Sequence, residues 1–483
     1  MIERRIENFG AEKFFIAVFL FFGVTNCFMR PPYQLMDEIN HFARAWQISE
    51  GIFLSPTTTI GEFVNGAAFH SKKIFNLNSA PPDALNDKIF FAEVPVSFLI
   101  NASTVDADDK RRIHPFSIED IKKFLKTPLN IEECEPSLIP NTGVYPPLAY
   151  FPQVVAALIG RNLNLNAGII FYMMNLSGLL FVAACIFGAM KFLPETKPLI
   201  FVVAMMPMFL IEAASTSIDA VTYGVCFLGT AWLLSLRTKT EKFSRAEIFG
   251  LILLSIMLCV KSIYGTILLL YFLIPNSRAG SLKKFLLLGA AILSLNLSAS
   301  LIWMKIFVEP AGVELYTNYY LGFTETNAAA QKIFVMEHPS AFLAALRNSL
   351  IELCDWYWIS FVGAWGFLWN VMLPKVFYVL YGIILAFFAL SNELRLKLFE
   401  RGVLLFAAFL SAIAFFLINY LIWSSVGGRL LEGVQGRYFI PITPIILFAL
   451  STLPPLRHKN LIALAAGIFS GVMTLLTNFS AFY

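Results

Sequence analysis

A chain of 483 residues that is 58% hydrophobic and only 14% charged is not a soluble enzyme or nucleic-acid binder, whose charged share runs near about 25%. A mean hydropathy of +0.69 makes it a polytopic membrane protein. The formal net charge of +4 is small, so where the basic residues lie matters more than how many there are.

In chain order, Arg4, Arg5 and Lys13 lead into the apolar run Phe14 to Phe28. These resemble the basic and apolar parts of a signal peptide. However, Cys27-Phe28-Met29-Arg30 lacks a small-x-small cleavage pattern, which predicts an uncleaved first transmembrane helix within 1–29, its N-terminus inside. The stretch from Arg30 to Arg44 follows at once, with two adjacent carboxylates, Asp37 and Glu38, and with His41 and two arginines. Asp is a preferred N-cap, so one reading makes Asp37 the cap of a helix from Glu38 to Glu50. The other makes it part of a site. Asp37, His41 and Arg44 fall at i, i+4 and i+7 on one helix face, and capping needs neither the histidine nor the arginine.

An outer segment, 30–166, continues through Pro81-Pro82, the charged run Asp106 to Arg112 and a helical patch at Ser117 to Lys126. Leu148 to Ile159 is too short to span and reads as an interfacial or re-entrant helix on the side of Asp37. Ten further spans are expected. They are Ile169 to Met190, Leu199 to Ala214, Ala220 to Leu236, Ile248 to Val260, Tyr264 to Ile274, Phe285 to Phe307, Val376 to Leu390, Val403 to Trp423, Tyr438 to Leu453 and Leu461 to Leu476. With the first helix they make an all-α integral membrane fold of about eleven transmembrane helices: a bundle at 167–308, a second outer region at 309–374 and C-terminal helices at 375–483. The order puts Lys191 and Lys197, Arg237 to Arg245, Arg278 to Lys284, Arg395 to Arg401, and Arg457 and Lys459 all on the inner side, as the positive-inside rule requires.

Six cysteines (Cys27, Cys134, Cys185, Cys226, Cys259, Cys354) contain no C-x-x-C pair and suggest neither a disulfide framework nor a zinc site. Sequons at Asn101, Asn175, Asn296 and Asn478 read as chance, since at least two lie in or beside spans.

Four polar features converge on the outer face. Asp219 is either a helix cap or an ionisable residue with a function at the membrane boundary. Lys261 interrupts an apolar stretch and either snorkels to the interface or joins a site. Gly433 to Pro441 is either an aromatic belt with an anchoring arginine, or a loop whose Gln435 and Arg437 hold a phosphate, which suits the planar guanidinium fork. Trp356, Trp358, Trp365 and Trp369, with Tyr357, form a belt or a sugar-stacking surface.

Pro32-x-x-x-Met36-Asp37-Glu38-x-x-His41, Tyr145-Pro146-Pro147-Leu148-Ala149-Tyr150, Ser217-Ile218-Asp219 and Gln435-Gly436-Arg437-Tyr438 together resemble an uncharacterised bacterial polytopic membrane family that carries a domain-of-unknown-function label. That family is in turn similar to C-type glycosyltransferases, which use polyprenyl-phosphate sugars. The resemblance runs over roughly Arg30 to Pro441 and departs at Met36, where the family usually has proline. It implies a C-type-like fold with Asp37 as catalytic base beside Glu38, a second acidic position at Asp219 and a basic one at Lys261. Arg437, Gln435, Lys261 and Tyr438 are then expected around the donor phosphate, and His41, Arg44, Asp219, Tyr145 and Tyr150 in acceptor-binding or supporting roles. The expected partners are a polyprenyl-phosphate sugar, an envelope glycan such as O-antigen or lipopolysaccharide and membrane lipids, not nucleic acid. No cofactor is called for, and a divalent metal stays open. A lipid-linked donor brings its own leaving group, so one base and cations for the phosphate suffice. The expected place is the bacterial inner membrane with the site facing the periplasm. The rival reading is a transporter or flippase of lipid-linked sugars, which would carry polar residues at mid-membrane on broken helices. A non-catalytic envelope-assembly subunit is the third.

Overall fold

Three phenylalanines set the packing of the first helix. In α1 (Ala11–Met29), Phe15, Phe19 and Phe22 form a buried i, i+4, i+7 stripe, while Phe21 on the far side stays exposed to the surroundings. The Phe15 ring stacks on Phe201 with centroids 4.2 Å apart. A Cβ at Gly471 would come within 2.5 Å of Phe22, so the last helix passes α1 at glycine contact. This is a computed structural model, and it describes residues 10–66, 86–99, 117–313, 326–366 and 369–483. Arg4, Arg5, Pro81-Pro82, Asn101 and the run Asp106 to Arg112 lie outside the described residues.

After α1 comes α2 (Glu38–Ser49), one residue shorter than expected. The segment that follows was expected as loop with interfacial helices, but it holds a three-stranded antiparallel sheet of β1 (Thr57–Thr59), β2 (Lys88–Pro95) and β3 (Cys134–Leu138), with β2 in the middle. Two of the strands have five residues or fewer, too short for alternation to stand out. The sheet seats α2, whose Gln47 amide donates to the Phe91 carbonyl at 2.9 Å. Helix α3 (Ile118–Lys126) starts in a Ser117–Asp120 capping box. Helix α4 (Phe151–Asn162) packs on α2, with the Arg161 guanidinium 5.1 Å from the Trp46 ring centroid.

The α-helices that follow α4 are α5 (Ala167–Phe192), α6 (Lys197–Ala204), α7 (Pro207–Ala213), α8 (Asp219–Leu236), α9 (Arg245–Leu258), α10 (Leu282–Ile302), α11 (Ala328–Glu337), α12 (Pro339–Glu352), α13 (Cys354–Val362), α14 (Lys375–Leu390), α15 (Leu398–Trp423), α16 (Thr443–Ala449) and α17 (Lys459–Phe482). Among the described residues seven helices are long and apolar enough to cross a membrane, or eight if a bent pair counts as one span. That pair is Pro194–Ala204 with Pro207–Ala213, bent by 83°. It fills the expected span Leu199 to Ala214, broken where Pro207 opens the second half. Val376 to Leu390 and Tyr438 to Leu453 appear as the shorter apolar helices Lys375–Leu390 and Gly436–Ala449.

The apolar run Arg245–Leu273 is one stretch by length but not by course. A straight helix of that length would hold its ends about 40 Å apart. Instead the Phe243 and Tyr271 rings stack 6.2 Å apart, and Arg278 pairs with Glu247 at 2.8 Å. The chain therefore turns back at Lys261, whose φ of −131° and ψ of 86° break the helix. The return arm is the part of the 3-10 stretch Cys259–Leu273 that follows Lys261, since the break divides that stretch in two.

Ion pairs test which helix ends lie together. Lys191 and Lys197 both hold Glu12, Arg237 meets Glu400, Arg278 and Lys239 share Glu247, and Lys459 meets Glu393. Each joins two residues that the span order assigns to the basic end. Lys261–Asp219 and Arg437–Asp37 likewise join residues of the other end.

Candidate functional site

The organising residue is Asp37, and it does not cap its helix. It sits at the N-cap position with φ 63° and ψ 2°, left-handed, and its side chain accepts no hydrogen bond from the first turn. A non-glycine residue is seldom held there, and the strain is maintained by what surrounds it. Glu38, next in sequence, points the other way. It pairs with Arg30 at 2.7 Å with both side chains 1% exposed, and Arg30 also donates to the carbonyls of Ile211 and Ala214. This pair ties the start of α2 to α7 and sets the strained turn from outside the site.

A cavity of about 290 Å³ opens over Asp37. Of the residues expected at a site, Asp37, His41, Tyr145, Asp219, Lys261, Arg437 and Tyr438 line it. They come from α2, the loop before α4, the start of α8, the Lys261 turn and the segment before α16. Asp219 is the first residue of α8 rather than its cap, and it forms an ion pair with Lys261. Lys261 therefore does not snorkel away; its ammonium also lies 5.4 Å from the Tyr438 ring centroid and 6.0 Å from that of Tyr145. Arg437 spreads its fork between two carboxylates, Glu212 at 2.5 Å and Asp37 at 3.5 Å, with the Tyr438 ring centroid 5.1 Å away.

Four expected residues stand elsewhere. Glu38 is the Arg30 partner just described, not a second carboxylate of the cavity. Arg44 is buried and donates to Gln47 and to the carbonyls of Ile52, Phe53 and Tyr145, so it braces the loop instead of facing the cavity. Tyr150 lies behind His41, its hydroxyl 2.7 Å from Nδ1. Gln435 is buried just ahead of Arg437, outside the lining. The tryptophans bond to the scaffold: Trp356 donates to the Val434 carbonyl, Trp358 to that of Tyr378 and Trp365 to the Asn478 side chain.

The main addition is Glu212, 2% exposed on the short helix α7. An acid inside the expected span Leu199 to Ala214 is a signal that sequence carries, because a charge there needs a partner. That partner, Arg437, is 225 residues away, which sequence does not show. Asn141, Trp303 and Trp423 also line the cavity without any local signal.

Burial raises the Asp37 carboxyl above the usual aspartate range, against the pull of Arg437 and Asn141, while nearby Asp219 raises it further. Burial drives the His41 imidazole down to about 3, so it is neutral and exchanges hydrogen bonds rather than charge. Three carboxylates (Asp37, Asp219, Glu212) thus face two cations (Lys261, Arg437), and Asp37, the most exposed of the three at 27%, is the one without a close cation of its own. Such a group can take a proton from a bound hydroxyl. The lining also holds the apolar side chains Phe415, Ile418 and Ile422 from α15, and Trp303 and Met304 just after α10. Among the described residues no group of three His, Cys, Asp or Glu side chains is placed to hold a metal ion.

Fold and site together define a multi-pass membrane protein with a cavity lined by acidic and basic side chains at the end of its bundle. The chain belongs to the family described as "Predicted membrane protein (DUF2142)", which matches residues 20–446. No curated protein and no solved structure matches it significantly.

Proposed function

We propose that this protein is a membrane glycosyltransferase that moves a sugar from a polyprenyl-phosphate carrier to a cell-envelope glycan, such as O-antigen or lipopolysaccharide, on the periplasmic face of a bacterial inner membrane. The observation that carries the reading is the cavity's mixed lining: Asp37, Lys261 and Arg437 share it with the apolar side chains Phe415, Ile418, Ile422, Trp303 and Met304. A lipid-linked anionic sugar presents the same mixture of anionic, polar and apolar groups. In the reaction the acceptor hydroxyl oxygen attacks the anomeric carbon, its proton passes to Asp37, and the bond from that carbon to the phosphate oxygen breaks, releasing polyprenyl phosphate. Displacement from the face opposite the phosphate inverts the anomeric centre. Lys261 and Arg437 serve the departing phosphate, which competes with Asp219 and Glu212 for them.

One observation favours the flippase reading. The helix pair bent by 83° carries a buried acid, Glu212, as broken helices of transporters do. The two readings separate in reconstituted vesicles given a polyprenyl-phosphate sugar and a glycan acceptor. A transferase liberates polyprenyl phosphate in step with glycosylated acceptor. A flippase moves the intact donor between leaflets and consumes none, and that outcome would overturn the proposal.

A further inference from the structure

The loop between β3 and α4 is fastened to α2 at one place. Thr142 donates its hydroxyl to the Asn40 carbonyl at 2.9 Å, and the Asn40 side-chain amide donates to Asn141 Oδ1 at 2.7 Å. Backbone bonds from Thr142 and Gly143 to the Ile139 carbonyl close the turn beneath. A Cβ at Gly143 would come within 2.6 Å of the Phe90 side chain, so the turn sits directly on β2. Asn40 stands three residues after Asp37 and so on the same side of α2.

With its oxygen taken by Asn40, the Asn141 amide is oriented, because an amide has one acceptor end and one donor end. Its NH₂ is then the end left for the cavity, which Asn141 lines together with Asp37. We infer that Asn141 is a positioning residue for Asp37: oriented by Asn40, it presents an N–H that fixes the carboxylate over the cavity. The inference deepens the transferase reading by supplying the group that aims its base. Arg437 at 3.5 Å is too long to do this alone, since it is drawn to Glu212 at 2.5 Å.

Asp37 is faced by other titratable and charged groups: His41 on α2 itself, Asp219 on α8, Lys261 at the helix turn, Tyr145 from the loop, Arg437 and Tyr438 before α16, and Glu212 behind Arg437. Asn141 does not itself titrate, and a donor to the ionised form favours that form. Its loss therefore moves the carboxyl titration toward higher pH.

The test is infrared difference spectroscopy of the full-length protein in nanodiscs across a pH titration, with Asp37→Asn subtracted to identify the Asp37 band. In Asn141→Ala the titration should move up by about one pH unit. Asn40→Ala, which leaves Asn141 in place but free to flip, should move it the same way by less. Where transfer is measured, the acid limb of its pH profile should follow. An unmoved titration in folded Asn141→Ala overturns the inference. If that variant does not fold, an unmoved titration in Asn40→Ala overturns it equally. The band reports the carboxyl and not sugar transfer, so failure of the transferase reading shows separately, as full transfer by Asp37→Asn.

Discussion

Both ends of the bundle are laced with ion pairs, but in opposite ways. At the basic end cations are in surplus and partly wet: Glu12 is shared by Lys191 and Lys197, and Lys191 is 51% exposed. Around the cavity at the other end three acids face two cations, and Lys261 and Arg437 are only 12% and 5% exposed. Exposed pairs contribute little to stability and are replaceable. Buried pairs cost desolvation that only good geometry offsets, and losing one partner leaves the other stranded. The basic end thus carries information about orientation, while the cavity end holds the buried charges on which the proposed transfer depends.

The sharpest break of that comparison is all or none. In a cysteine-free background, single cysteines at Asn130 and Lys242, both exposed and at opposite ends, should react with an impermeant maleimide from opposite sides of sealed vesicles. Labelling from one side would undo the assignment of the two ends.

Next comes Asp37→Asn. The side chain keeps its size and makes no cap to lose, so expression should stay near normal while transfer falls by about 10²–10⁴. Wild-type transfer rates in a folded variant would remove Asp37 as the base.

The smaller contrast sets a buried pair against a half-open one. Glu38→Ala strands Arg30 and should cost about 3–5 kcal/mol in detergent unfolding experiments. Lys459→Ala, at a pair 27% and 33% exposed, should cost about 1 kcal/mol or less. Equal losses would mean that burial does not separate these pairs.

Much of the membrane architecture was legible because hydrocarbon imposes simple rules on length, apolarity and basic loops. The helix from Glu38 and the patch Ser117 to Lys126 were legible for the same kind of reason, local periodicity and local capping. The small sheet was not, since β1 and β2 pair across an interval of 28 residues, Thr59 to Lys88 among them, that no local pattern announces. Glu38 and Arg44 misled because density of charge in sequence does not say which way a side chain points. Residues i and i+1 diverge on a helix, and here one faces the cavity and the other faces Arg30.

By itself the sequence determined that the chain lies in a membrane, which helix ends share a side, and that Asp37, Asp219, Lys261 and Arg437 lie on one face. These follow from transfer free energies and spacing, which act on each segment alone. Only the tertiary structure decided the pairing: Arg437 with Glu212, Lys261 with Asp219, Glu38 with Arg30, and Asn141 beside Asp37. A buried charge or amide takes whatever partner packing brings within about 3 Å, and that partner can lie anywhere along the chain.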